Sequence, residues 1–219
     1  MLRCPSDFDL SDSTFQTLVK MQHFSLPTRL LDLTSNPLIA LYFAASDTGS
    51  KNQDGEVIVY KIPKDEIKYY DSDTVSVIAN ISRRPADFSL PKGKKGIKAF
   101  NLLSNIHFLL HEIKKEKPYF QPLIKRQPLE SVVCVKPKLD NARILKQDGA
   151  FFLFGISGEK KVPASIPTEY RPSSKKPLII LGEKKQEIRD QLKTLGITRG
   201  SIYPDIENVA MFIKEQFRE

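Results

Sequence analysis

The chain has 219 residues, 40% hydrophobic and 27% charged, enough to bury a core without a metal or disulfide staple. Thirteen Phe, seven Tyr, ten Gly and fifteen Pro exclude disordered and collagen-like composition, and apolar runs such as 38–45 fall far short of the roughly 20 residues a bilayer span needs. The net charge of +8 is uneven: residues 1–110 hold 13 Lys+Arg against 12 Asp+Glu, leaving 21 against 14 for residues 111–219, so the basic excess lies in the second half, with an outlying cluster at Lys92, Lys94, Lys95 and Lys98, and reads first as a solubilising surface and second as one that attracts phosphate backbones.

The opening residues have no apolar segment behind Arg3, so neither a signal nor a transit peptide is expected and a cytoplasmic location is. Phe15, Leu18, Val19 and Gln22 recur at helical spacing after a Ser-Asp-Ser-Thr stretch, which predicts a helix from about Asp12 to His23. Asn36-Pro37 then supplies a cap and a proline at the first helical position. Residues 37–47 are apolar on nearly all sides, which predicts a buried helix. Residues 56–62 are rich in β-branched types and predict a strand. Helices are expected over 71–84 and 98–116, with prolines at 118, 122 and 128 opposing any long element between them.

Strands are predicted at 130–136 and 150–155, flanking a short helix at 141–147. The proline- and lysine-bearing span 158–176 reads as a loop or edge. A strand at 177–181 precedes a helix at 184–195 closed by Gly196. A final amphipathic helix is expected over 205–217, with Ile206, Val209, Ala210 and Ile213 on one face. The class that follows is α+β, with N-terminal helices followed by a mixed sheet with inserted helices, in one compact unit without repeats or a linker. Its expected core includes Leu38, Leu41, Tyr42, Phe43, Val57, Val59, Val133, Phe152, Ile179 and Ile213.

Glycine-rich phosphate loops, zinc-protease helices and nucleophile elbows are absent from the sequence. Cys4 and Cys134 lack metal-type spacing, and Cys134 sits in an apolar run where a thiol acts as a small core residue. His107 and His111 stand four apart on a predicted helix, a spacing that suits a metal pair and equally an ordinary amphipathic face, with no evident third ligand. No metal site is assigned. The densest polar constellation is Gln22, His23, Thr28, Arg29, Asp32 and Thr34 among large apolar residues. Two readings stand side by side. In one, Arg29 and Asp32 form a buried pair while the threonines satisfy backbone; in the other, His23 and Arg29 face a cleft and bind an anion.

The segment Met21-Gln-His-Phe-Ser-Leu-Pro-Thr-Arg-Leu-Leu-Asp-Leu-Thr-Ser-Asn-Pro-Leu-Ile-Ala-Leu-Tyr-Phe-Ala44 resembles the hallmark of the FRG domain, a bacterial and phage-associated family. Residues 141–151 resemble its Arg-x-x-x-Gln-x-Gly-x-Phe segment, and residues 188–217, with Gly196-Ile197 and Tyr203-Pro-Asp-Ile-Glu207, resemble its closing segment. The Phe-Arg-Gly motif that names the family has no counterpart here, so residues 1–219 are expected to be one FRG-like domain lacking that N-terminal piece. The resemblance implies a distant likeness to ADP-ribosyltransferases in motif layout, and with it NAD as the candidate cofactor. It carries candidate roles to these positions: His23 and Glu207 as catalytic groups, and Gln22, Thr28, Arg29, Asp32, Arg143, Gln147 and Asp205 as ligand-binding groups.

Three functions are left open by the residues. The motifs could converge on a cleft for a nucleotide or another small anionic ligand, with transferase chemistry in longer relatives. The basic second half could bind nucleic acid or act as a regulatory module, with affinity falling steeply as salt rises. The motifs could instead only hold together an interaction domain, each polar residue capping a helix or turn. A membrane partner is not expected.

Overall fold

A computed structural model describes residues 5–9, 11–46, 53–93, 96–171 and 177–217. The elements are α1 (Thr14–His23), β1 (Leu30–Thr34), α2 (Pro37–Ala45), β2 (Gly55–Val57), β3 (Lys68–Tyr69), α3 (Asp73–Ala79), α4 (Ile97–Asn101), α5 (Ser104–Glu116) and α6 (Arg126–Leu129). They continue with β4 (Val132–Lys136), α7 (Ala142–Lys146), β5 (Gly149–Phe154), β6 (Ile156–Ser157), β7 (Glu159–Pro163), β8 (Leu178–Ile180), α8 (Lys185–Thr194), α9 (Arg199–Ile202) and α10 (Ile206–Gln216). The class is α+β, as the sequence predicts. A mixed four-stranded sheet runs in the order β1-β5-β4-β3, and two antiparallel pairs, β2-β8 and β6-β7, stand apart from it. In the large sheet β4 pairs antiparallel with β5 and parallel with β3.

The chain divides into two compact units, one of residues 1–31, 62–137 and 151–168, the other of residues 32–61, 138–150 and 169–219. The cut falls inside β1, between Leu31 and Asp32, and inside β5, between Ala150 and Phe151.

The first unit holds a dense apolar interior, with Phe15, Ile78, Ile81, Ile106, Leu109, Ile113, Leu129, Phe152 and Leu153 all essentially removed from solvent. Capping explains where its first helix starts: the Ser13 side chain accepts from Gln16 N–H while the Gln16 side chain accepts from Ser13 N–H, which satisfies two donors the helix cannot. A polar network ties three helical segments together. Thr14 N–H donates to Glu116 Oε2 at 2.6 Å, the Thr14 hydroxyl to Asn80 Oδ1 at 3.0 Å, and Asn80 Nδ2 to both Ser76 O and Glu116 Oε1. Asn80 is fully buried, so each of its polar atoms needs these partners.

In the second unit α2 packs against α8 and β2, and α10 against α9. Asn36 caps α2 through Leu38 N–H, with Pro37 at the first helical position. Gly196 closes the α8 region at φ +77°, where glycine is cheapest. Gly200 lets α10 come close: a Cβ there would lie 2.9 Å from the Phe212 ring.

Several expectations need correction. The segment 30–34, read as part of a polar constellation, is strand β1. The span 158–176, expected as a loop or edge, carries the edge strand β7, paired with β6. Of the expected core only Phe152 is fully buried; Leu38, Val59, Ile179 and Ile213 are exposed, and Leu41, Tyr42, Phe43, Val57 and Val133 are half-buried. The reason is that α2 is apolar all round yet is covered on one side, at Ile39 and Ala45, while β2 and β8 pair only with each other. On α10 the face against α9 carries Asn208 and Phe212, and Ile206 is 83% exposed. Cys4 and Asp47 lie outside the described residues.

Candidate functional site

The first unit holds Gln22, His23, Thr28 and Arg29. The Thr28 hydroxyl donates to Gln22 Oε1 at 2.6 Å and accepts from Leu30 N–H at 3.1 Å, a clasp that closes the turn after α1, where Ser25 takes a positive φ of 60°. Gln22 and Thr28 therefore shape backbone. The His23 ring meets Phe24 edge to face, centroids 5.0 Å apart. Arg29 Nη1 donates to Phe154 O at 2.6 Å; of the two partners expected for it, Asp32 or main chain, its charge is held by main chain. Burial pulls the Arg29 guanidinium down to about 10, because a desolvated cation is less favourable than a hydrated one.

The second unit brings together residues from three distant stretches of sequence. Thr34 donates its hydroxyl to Gln147 O at 2.7 Å and accepts from Asn36 N–H, so the expectation that Thr28 and Thr34 serve backbone holds. Gln147 ends α7 and donates through Nε2 to Ile202 O at 3.2 Å, which links α7 to the end of α9. Tyr203, the next residue, is the centre of the cluster. The Arg143 guanidinium lies over its ring at 4.6 Å, within the range of a cation–π contact, and Phe43 of α2 meets it edge to face at 6.2 Å.

Four neighbours act electrostatically on the Tyr203 hydroxyl. Burial raises its pKa above the ordinary value; Arg143 and Arg199 oppose the rise, while Tyr42 and Asp32 add to it. A half-buried phenol flanked by two arginines and a carboxylate can stack on a flat ligand, donate a hydrogen bond and, through the arginines, meet negative charge. Gln147 adds a neutral amide whose NH₂ already serves Ile202 O.

Asp205 acts locally, at the start of α10: its Oδ1 accepts from Asn208 N–H at 3.1 Å and from Asn208 Nδ2 at 2.7 Å. Asn208 Oδ1 in turn accepts from Arg199 Nε at 2.9 Å, which fixes that arginine. Glu207 is exposed in the first turn of α10. The structure thus brings Asp32, Arg143 and Gln147 around Tyr203, and puts His23 and Arg29 in the other unit. Sequence reasoning did not name Tyr203, Arg199 or Tyr42 as candidates; the available signal was that Tyr203 stands inside the closing segment 188–217.

His107 and His111 face each other with Nε2 atoms 3.2 Å apart on the exposed side of α5, and among the described residues no group of three metal-ligating side chains forms. Burial raises the Cys134 thiol, as befits a core residue. No described helix is long and apolar enough to cross a membrane.

The stretch that carries α1, β1 and α2 can now be compared with known families. Residues 5–53 match the FRG domain. That segment is FRG-like. The FRG match takes in Gln22 to Asp32 and the α2 residues Tyr42 and Phe43; residues 141–151 and 188–217 lie outside it. No curated protein and no solved structure matches the chain.

Proposed function

We propose that the second unit binds a nucleotide-type ligand at Tyr203. The observation that carries the reading is the Tyr203 ring, with the Arg143 guanidinium over it and Phe43 against it edge to face, because one aromatic ring held from two distant segments gives a base or nicotinamide ring a rigid surface. Arg143 and Arg199 would meet phosphate, Asp32 would accept from a ribose hydroxyl, and the Tyr203 hydroxyl would donate. The residues suit NAD or ADP-ribose: a ring platform, two cations and a carboxylate match base, diphosphate and ribose in kind. NAD would supply the transferable ADP-ribosyl group, as the likeness to ADP-ribosyltransferases implies. Glu207 is the carboxylate of this unit to examine for that chemistry.

The test is thermal unfolding with NAD, ADP-ribose, AMP or nicotinamide added. A ligand that binds only the folded chain raises the midpoint by mass action, and the expected result is a rise that Tyr203→Leu and Arg143→Met abolish and Tyr203→Phe partly keeps. Absence of any shift would end the reading. Salt-sensitive binding of an oligonucleotide that Tyr203→Leu leaves intact would favour the basic second half as a nucleic-acid surface.

A further inference from the structure

Helix α5 carries two imidazoles that the Tyr203 site does not use. Its inner face is set by Ile106, Leu109, Leu110 and Ile113, all buried, while His107 and His111 are exposed. Four residues apart on a helix, the two side chains lie one above the other. Their Nε2 atoms are 3.2 Å apart and their ring centroids 4.7 Å apart, so the two nitrogens approach more closely than the rings do as a whole.

That separation is the bite of a chelate. With the roughly 2.0–2.1 Å bond of zinc to an imidazole nitrogen, two nitrogens 3.2 Å apart subtend about 100° at the metal. The angle lies between the right angle of a tetragonal or octahedral ion and the tetrahedral one, and imidazole donors suit zinc, copper and nickel where magnesium and calcium prefer oxygen. A hydrogen bond between the rings would stand at the long limit for an N–H donor at this distance and would use one Nε2 lone pair. A metal ion uses both.

We propose that His107 and His111 bind a divalent transition-metal ion of the zinc and copper class through the Nε2 atom of each. The buried face of α5 fixes the backbone that presents the pair, so little order is lost on binding. Both carboxylates of α5 are engaged elsewhere: Glu112 pairs with Lys115, and Glu116 accepts from Thr14 N–H and Asn80 Nδ2. Among the described residues no third ligating side chain joins the two histidines, so water completes the coordination and the ion stays open to a donor from outside the chain.

Calorimetric titration of the full, untagged chain with zinc chloride and with copper(II) chloride, in a buffer that does not chelate, tests this. One saturable event per chain is expected for either ion, and none for magnesium. The paramagnetic resonance spectrum of the copper-loaded chain should show coupling to two nitrogens. Loss of a group that merely supports a metal ligand costs about 10–100-fold in affinity, so His107→Gln and His111→Gln, each removing a ligand, should weaken binding at least about tenfold. Both positions are exposed, and neither variant should lower the urea midpoint. Should one variant fail to fold, the other and the copper spectrum decide. Absence of saturable binding, equal binding of magnesium, coupling to a single nitrogen, or affinity that a folded variant leaves unchanged would overturn the proposal.

Discussion

At the scale of single residues, Tyr203 shows how surroundings change the chemistry of a side chain. Its hydroxyl titrates above the ordinary value of about 10 because burial and the neighbouring Asp32 and Tyr42 disfavour the phenolate. The raised folded value fixes the sign of the pH effect. The Tyr203 contribution to stability is fully present below the unfolded value and is lost as pH rises through the folded one. Stability followed by urea unfolding should therefore fall from about pH 10 upward, and Tyr203→Phe should flatten that fall; identical slopes would show that Tyr203 titrates as it does in the unfolded chain. This residue was legible only in part. Its motif position was visible, but Asp205 beside it drew the functional reading, and Asp205 turns out to begin α10 by accepting from Asn208. A carboxylate after proline serves a helix start as readily as a ligand, and sequence spacing does not separate the two.

Elements were more legible than their packing. Helices announced themselves through local chemistry that sequence displays directly: Ser13, Asn36, Ser72 and Asn141 each cap the helix that follows, and Gly196 closes the region after α8. Strand β1 stayed hidden because its partner β5 lies more than a hundred residues away and its Leu-Leu-Asp-Leu-Thr sequence has no clean alternation. The exposed faces of α2, β8 and α10 were misjudged for a related reason. Apolar content reports what a segment could bury, and whether a neighbour covers it depends on topology.

The Thr14–Asn80–Glu116 network is the least local feature of all, joining three helical segments through atoms spread over 102 residues of sequence. It makes a prediction at this scale. Asn80→Ala strips partners from the Thr14 hydroxyl and from Glu116 at once and should destabilise the chain by about 2–3 kcal/mol, whereas Glu116→Gln keeps an acceptor for Thr14 N–H and should cost less. Equal urea midpoints for wild type and Asn80→Ala would show that the network adds nothing to stability.

At the scale of the whole molecule, the α+β class followed from the order of helical and β-branched segments, while the division into two units did not, since it cuts through two strands and leaves no linker in the sequence. The same division sorts the candidate residues. Gln22, Thr28 and Arg29 organise the turn after α1, and Asp32, Arg143 and Gln147 collect around Tyr203. The excess charge of the second half of the sequence finds a local use there as well, in Arg143 and Arg199 beside one phenol ring. The most direct measurement is an NMR titration of the full chain with ADP-ribose, following backbone amides and tyrosine ring carbons. The account predicts that resonances of Phe43, Arg143, Gln147 and Tyr203 shift together along one saturating curve. Saturating shifts confined to other residues, or none at all, would contradict it.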